Sequence, residues 1–209
     1  MPLYKTVALP HESLLLVWKI TETYHELYDS VELTEESEFR LQGMKSEMHQ
    51  KGFLAVRKLL QVAGYTDFDM FYENSGKPNL MDDHYISVTH SFVFAAIVIS
   101  VNRCGIDIEL QRDKIKTIQH KFLSEKEFEK IIPEHEVRNL TTLWAVKESI
   151  YKLIGLPGLS FKNHIFIDSL SEAQGKVTAQ VQLPNKTILL EAGFEAVETF
   201  MLAYSIQAI

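Results

Sequence analysis

The segment with the clearest chemical content is Gly105-Ile106-Asp107-Ile108-Glu109. Side chains alternate along a strand, so Asp107 and Glu109 leave one face while Ile106 and Ile108 enter a core. Two close carboxylates repel unless a cation lies between them. An all-oxygen pair suits Mg²⁺, which takes one or two carboxylates together with substrate phosphates; the plainer reading is a solvated strand face ending in acids. A second signal is Trp144-Ala145-Val146-Lys147-Glu148-Ser149-Ile150-Tyr151-Lys152. On a helix, Trp144, Glu148 and Lys152 form one stripe at i, i+4 and i+8. A surface Glu–Lys pair accounts for the last two, but the tryptophan argues that this face is covered. A covered stripe with an acid and a base fits a phosphate–metal site, Glu148 as third ligand and Lys152 as phosphate clamp. A third signal is Ile86-Ser87-Val88-Thr89-His90-Ser91, where hydroxyls and an imidazole at a strand end can meet phosphate. The sequence has no G-x-S-x-G, H-E-x-x-H, P-loop or G-x-G-x-x-G pattern. That excludes a nucleophile-elbow hydrolase, a zincin and the usual nucleotide cradles.

The elements that must hold these residues follow from periodicity. Leu3–Leu9 and Leu14–Ile20 read as paired strands around Pro10-His11-Glu12-Ser13. A long helical pattern runs from Thr34, an N-cap with acidic first-turn residues, through Leu41, Met44, Met48, Phe53, Val56, Leu59 and Leu60 to Gly64. Asn74–Pro78 is a turn, and Tyr85–Val88, Val93–Val101 and Ile106–Leu110 read as strands of one sheet. A short helix starts at Ser124, and a longer one runs from Glu136 to Ile154 until Gly155 and Pro157 stop it. Ile165–Ile167, Val177–Leu183, Thr187–Leu190 and Thr199–Ile206 read as antiparallel strands. Leu54-Ala55-Val56-Arg57 matches Trp144-Ala145-Val146-Lys147 at an offset of 90, and Leu33–Phe39 resembles Leu123–Phe128. The expected fold class is therefore α+β, with two similar halves, 1–104 and 105–209, in one chain. They would be related by a pseudo-twofold axis, each with an antiparallel sheet packed on a long helix and the site at their seam.

The 209 residues carry a net charge of −7, and 46% are hydrophobic, enough for a real core. The acidic balance argues against nucleic acid or an anionic membrane as partner. Cys104, the only cysteine, allows no intramolecular disulfide and no cysteine zinc site, and its apolar neighbours mark it as buried and inert. The apolar run Leu14–Ile20 falls far short of the ~20 residues of a membrane helix, and no signal-peptide pattern opens the chain. The expectation is a soluble cytoplasmic chain.

The ordered motifs Gly76-Lys77-Pro78-Asn79-Leu80, Ile86–Ser91, Gly105–Glu109, Phe122-Leu123-Ser124-Glu125-Lys126-Glu127, Trp144–Lys152 and Gly155…Gly158-Leu159-Ser160 resemble the 4′-phosphopantetheinyl transferase superfamily, specifically its long, surfactin-type branch. The resemblance implies a pseudo-dimeric fold acting as a monomer. It also implies Mg²⁺-dependent transfer of phosphopantetheine from coenzyme A to a serine of an apo acyl or peptidyl carrier protein, releasing adenosine 3′,5′-bisphosphate. By the same resemblance Asp107, Glu109 and Glu148 would hold the metal, and Lys152 would bind phosphate and stabilise the leaving group. Gly76, Lys77 and Pro78 would line the adenine. Arg57 and His90, with Thr89 beside them, would meet the 3′-phosphate, and Lys147 would assist with phosphate or orient Glu148. Glu127 is a candidate base for the carrier serine, with Glu148 or a metal-bound water as alternatives. Two departures stand out: Thr89 occupies a place where the family often has serine, and Gly155-Leu156-Pro157-Gly158 is longer and less polar than the usual turn. Residues 111–121 hold 4 basic residues against 1 acid, which reads either as a solvated loop and helix start or as a docking surface for an acidic carrier helix. The competing readings are a nucleotide or coenzyme A phosphohydrolase and a non-catalytic coenzyme A-binding protein.

Overall fold

The computed structural model describes residues 2–207, and the chain divides into two units, Met1–Asn102 and Arg103–Ile209. In the first, β1 (Leu3–Leu9), β2 (Ser13–Lys19), β5 (Tyr85–Ser91) and β6 (Phe94–Ser100) form an antiparallel sheet in the order β1-β2-β6-β5. A separate ribbon pairs β3 (Met70–Tyr72) with β4 (Pro78–Leu80). The helices are α1 (Tyr24–Tyr28), α2 (Glu35–Gly43) and α3 (Glu47–Val62). Phe53, Leu54, Val56, Leu59 and Leu60 of α3 pack with Leu16, Trp18, Ile86, Ala95 and Ile97 of the sheet. Leu15, Val17, Phe94, Ala96 and Val98, which alternate with the inner set, are also fully buried, so β2 and β6 read as continuous apolar runs.

Where the sequence suggests one long helix from Thr34, the chain forms two. Met44 and Ser46 are extended (ψ 122° and 123°). The Gln50 side-chain amide donates to the carbonyls of Leu41 (3.4 Å) and Met44 (3.1 Å). A side chain of α3 thus satisfies carbonyls that a broken helix leaves open. Two further elements escaped the sequence reading: α1, closed by a Thr23/Glu26 capping box, and the β3–β4 ribbon around the expected turn.

The second unit opens with β7 (Cys104–Leu110), followed by α4 (Lys114–Phe122), α5 (Glu125–Phe128) and α6 (Glu136–Ile154), then β8 (Ile165–Ser171), β9 (Lys176–Leu183), β10 (Lys186–Val197) and β11 (Phe200–Ile206). Its five strands run antiparallel in the order β7-β11-β10-β9-β8. Both units are therefore α+β, each setting an antiparallel sheet against a long helix. Leu140, Leu143, Val146, Ile150 and Leu153 of α6 bury against Ile165, Val177, Phe194, Met201 and Ala203. Gly155 ends α6 in the left-handed region at φ 66°, its N–H donating to the Tyr151 carbonyl. Segment 114–122, whose helix the sequence only hinted at, is a helix whose Ile115, Ile118 and Phe122 pack into the same core.

Candidate functional site

Gly105 explains how the acidic strand and the long helix meet. A Cβ built on it would stand 1.9 Å from the Ser149 carbonyl oxygen and 2.8 Å from the Leu153 nitrogen. Only a residue without a side chain lets the α6 backbone come this close. Asp107 and Glu109 share the Gly105 face of β7, and their partners across the ladder, Ala203 and Met201, belong to the core under α6. The carboxylates therefore leave toward the helix, along its border. Ile106 and Ile108, on the opposite face, are buried at 0% and 1% exposure.

The stripe on α6 meets the strand in reverse order. Lys152 Nζ donates to Asp107 Oδ1 and to the Ile106 carbonyl, both at 2.8 Å. Trp144 Nε1 donates to Glu109 Oε1 at 3.3 Å, with its ring packed on Phe122 and Phe161. Glu148 lies between them. Burial, then the charges of Asp107 and Glu109, push its carboxyl up to about 7, against the opposing pull of Lys152. Burial and Asp107 likewise raise the Glu109 carboxyl. Three carboxylates thus crowd one ammonium. The donor set is hard, all-oxygen and short of positive charge, which fits a divalent cation such as Mg²⁺. Among the described residues no three His, Cys, Asp or Glu side chains are gathered around one ion position. Lys152 sits on Asp107 and Trp144 holds Glu109 outward, so those two carboxylates are engaged with donors from α6.

Three of the basic or acidic residues expected at the site are buried. Lys147 is 0% exposed, and its ammonium donates to the carbonyls of Phe122 (2.7 Å), Phe161 (3.0 Å) and Ile165 (2.8 Å) as well as to Glu127 (2.8 Å). Burial pulls it below the ordinary lysine range while Glu127 opposes that shift. Glu127 is 2% exposed; it accepts from the Ser124 N–H (2.8 Å) and hydroxyl (2.9 Å) and from the Ile167 N–H (2.9 Å). Arg57, 2% exposed, pairs with Asp67 at 2.9 Å inside the first unit. None of the three presents a charged tip to solvent.

The other expected contacts lie in the first unit. Gly76, left-handed at φ 82°, heads the β3–β4 turn, where the Glu73 N–H donates to the Lys77 carbonyl at 2.9 Å; Pro78 begins β4. Thr89 is buried and His90 exposed near the end of β5. The His90 ring lies 5.9 Å from that of His49 on α3. It is seated over Gly52, where a Cβ would stand 2.6 Å from the ring. The sequence reading quoted Gly105 without giving it a role and assigned none to Gly52 or His49. The two glycines carry a readable signal, a glycine two residues before Asp107 and one on the inner face of a helix, but only the fold shows what each leaves room for.

Residues 103–203, which contain this site, match the family model described as the 4′-phosphopantetheinyl transferase superfamily. The segment is thus similar to that superfamily over just under half of the chain. Over 110 residues the chain is also 30% identical to 4′-phosphopantetheinyl transferase gsp of Aneurinibacillus migulanus, covering 50% of this chain and 46% of that relative. The chain thus spans about half the length of the curated relative it matches. The superfamily match encloses Asp107, Glu109, Glu148 and Lys152 together. It also encloses a cavity of 140 Å³ beside Glu109, lined by Leu110, Arg112, Lys114, Ile115 and Trp144. No helix among the described residues is long and apolar enough to cross a membrane.

Proposed function

We propose that this protein transfers 4′-phosphopantetheine from coenzyme A to a serine of an apo acyl or peptidyl carrier protein, as a member of the long, surfactin-type branch. The observation that carries the reading is the facing of Asp107 and Glu109 on β7 with Glu148 and Lys152 on α6, inside the matched segment. Asp107, Glu109 and Glu148 would hold Mg²⁺, which when bound supplies charge neutralisation for a pyrophosphate. Glu148 is the preferred base, because Glu127 is committed to buried bonds. It takes the proton of the serine hydroxyl as that oxygen attacks the phosphorus carrying pantetheine. The bond from this phosphorus to the adenosine bisphosphate breaks, and Lys152 faces the charge left on the departing phosphate. The enzyme needs no nucleophile of its own, since the carrier supplies it. Gly76, Lys77 and Pro78, with His90 and Thr89, are assigned to the nucleotide end of coenzyme A.

Carrier docking is assigned to the start of α4. Arg112 and Lys114 line the cavity beside Glu109 and give an acidic carrier helix a basic approach. Lys116, in the same stretch, already bridges Asp113 (3.2 Å) and Glu136 (2.9 Å), so its charge contributes less. Incubation with coenzyme A, Mg²⁺ and a panel of apo carriers is expected to add one phosphopantetheine mass to at least one carrier. No gain on any carrier by a folded protein refutes the reading. Coenzyme A cleavage without a carrier would instead mark a phosphohydrolase.

A further inference from the structure

We propose that Lys147 and Glu127 are positioning residues, a buried strut that fixes the roll of α6 so that Glu148 and Lys152 face β7. This rests on the function proposed above. Consecutive helical residues point about 100° apart, so a roll of one residue would carry Glu148 away from Asp107. The contact of Gly105 with Ser149 sets how close helix and strand come, and the apolar face of α6 settles its roll only as closely as side-chain packing can. Lys147 adds a directional polar lock to that packing. Its single ammonium ties α6 to the last residue of α4 (Phe122), the loop at Phe161, the first residue of β8 (Ile165) and Glu127. Three N–H donors are spent on these acceptors, and none is left for a phosphate. Glu127 is as fully committed, holding the N-terminus of α5 through Ser124 and the β8 backbone through Ile167.

The first unit contains the same device without the acidic site. Arg57 sits 90 residues before Lys147. On α3 it donates to Asp67 (2.9 Å), Ser37 Oγ (3.1 Å) and the Phe53 carbonyl (3.3 Å). Asp67 in turn accepts from the N–H (2.9 Å) and hydroxyl (3.0 Å) of Thr34, the N-cap of α2, as Glu127 accepts from Ser124. In both units a buried cation on the long helix holds the cap of an earlier helix through one carboxylate. In one unit that carboxylate comes from the capped helix itself, in the other from a distant segment. The geometry recurs where the Asp107, Glu109 and Glu148 set is absent, which identifies it as a device for seating a helix.

Steady-state transfer and thermal unfolding of Lys147→Met, Glu127→Gln and the double variant Lys147→Met/Glu127→Leu test the strut. Lys147→Met is expected to lower kcat at least about tenfold and to raise the Mg²⁺ needed for half-maximal rate, with the KM for coenzyme A within about twofold. The double variant, having no unpaired buried charge, is expected to unfold at a higher temperature than Lys147→Met and to regain part of kcat. A group that touched substrate would not be rescued by deleting its partner. A raised KM for coenzyme A with kcat retained overturns the assignment, as does a double variant no better than Lys147→Met. If Lys147→Met does not fold, Glu127→Gln and the double variant carry the same comparison. If the wild-type chain transfers nothing, the functional reading fails by itself, and the strut stands or falls on whether the unfolding temperatures are coupled.

Discussion

At the scale of single residues, the candidate site is defined by a shortage of positive charge. Lys152 is shared between Asp107 and a backbone carbonyl, while Glu109 and Glu148 are raised by burial and by neighbouring carboxylates. A carboxyl raised in the fold binds its proton more tightly there than in the unfolded chain. Its stabilising effect is complete below the ordinary carboxylate range near 4.5 and is lost as pH rises through about 7. Metal-free Glu148→Gln should therefore be more stable than wild type at pH ~8, by on the order of 2 kcal/mol, and should match it near pH ~4. Thermal unfolding with a chelator present, across that pH range, checks this, and an unchanged difference between the two pH values would contradict it. Asp107→Ala should cut transfer by at least about a hundredfold and abolish any Mg²⁺-induced rise in unfolding temperature, while circular dichroism stays that of the wild type.

At the scale of elements, the decisive contact is between β7 and α6. Adding one methyl group at Gly105 would force the helix off the strand, since the Ser149 carbonyl lies 1.9 Å from the Cβ position. Gly105→Ala is expected to destabilise the protein by about 1–3 kcal/mol or more, measured by denaturant unfolding. It should also lower kcat, because Glu148 and Lys152 move with the helix. The helices themselves were legible at their ends: the Gly155 stop and the span Glu136–Ile154 follow directly from the residues. The break at Met44–Ser46 was not legible, because the carbonyls it opens are met by a Gln50 amide reaching back to Leu41 and Met44. A helical period across a short gap carries no sign of such a bond. The helix at Lys114–Phe122 was equally obscured, because its basic residues dominate a pattern whose apolar face, Ile115, Ile118 and Phe122, needs α6 to become meaningful.

At the scale of the whole molecule, a net charge of −7 conceals a local basic approach beside an acidic site. With docking assigned to Arg112 and Lys114, the double reversal Arg112→Glu/Lys114→Glu should raise the carrier KM about tenfold at low salt and flatten its dependence on ionic strength. Lys116→Glu should do less, given its bonds to Asp113 and Glu136. Carrier titrations at two salt concentrations separate these outcomes, and equal effects of the two changes would count against the assignment.

Residue type and spacing alone were enough to single out Asp107, Glu109, Glu148 and Lys152, to assign an α+β class and to delimit most strands. These depend on local periodicity and on chemistry that few side chains can perform. They were not enough to separate groups at the β7–α6 border from groups bonded inside the core. Lys147 and Glu148 are neighbours on one helix, as are Arg57 and Phe53, and nothing in the sequence marks the first of each pair as an internal bond. Tertiary packing decided that, because the cost of burying a charge is met only where several distant backbone carbonyls and a carboxylate converge on it.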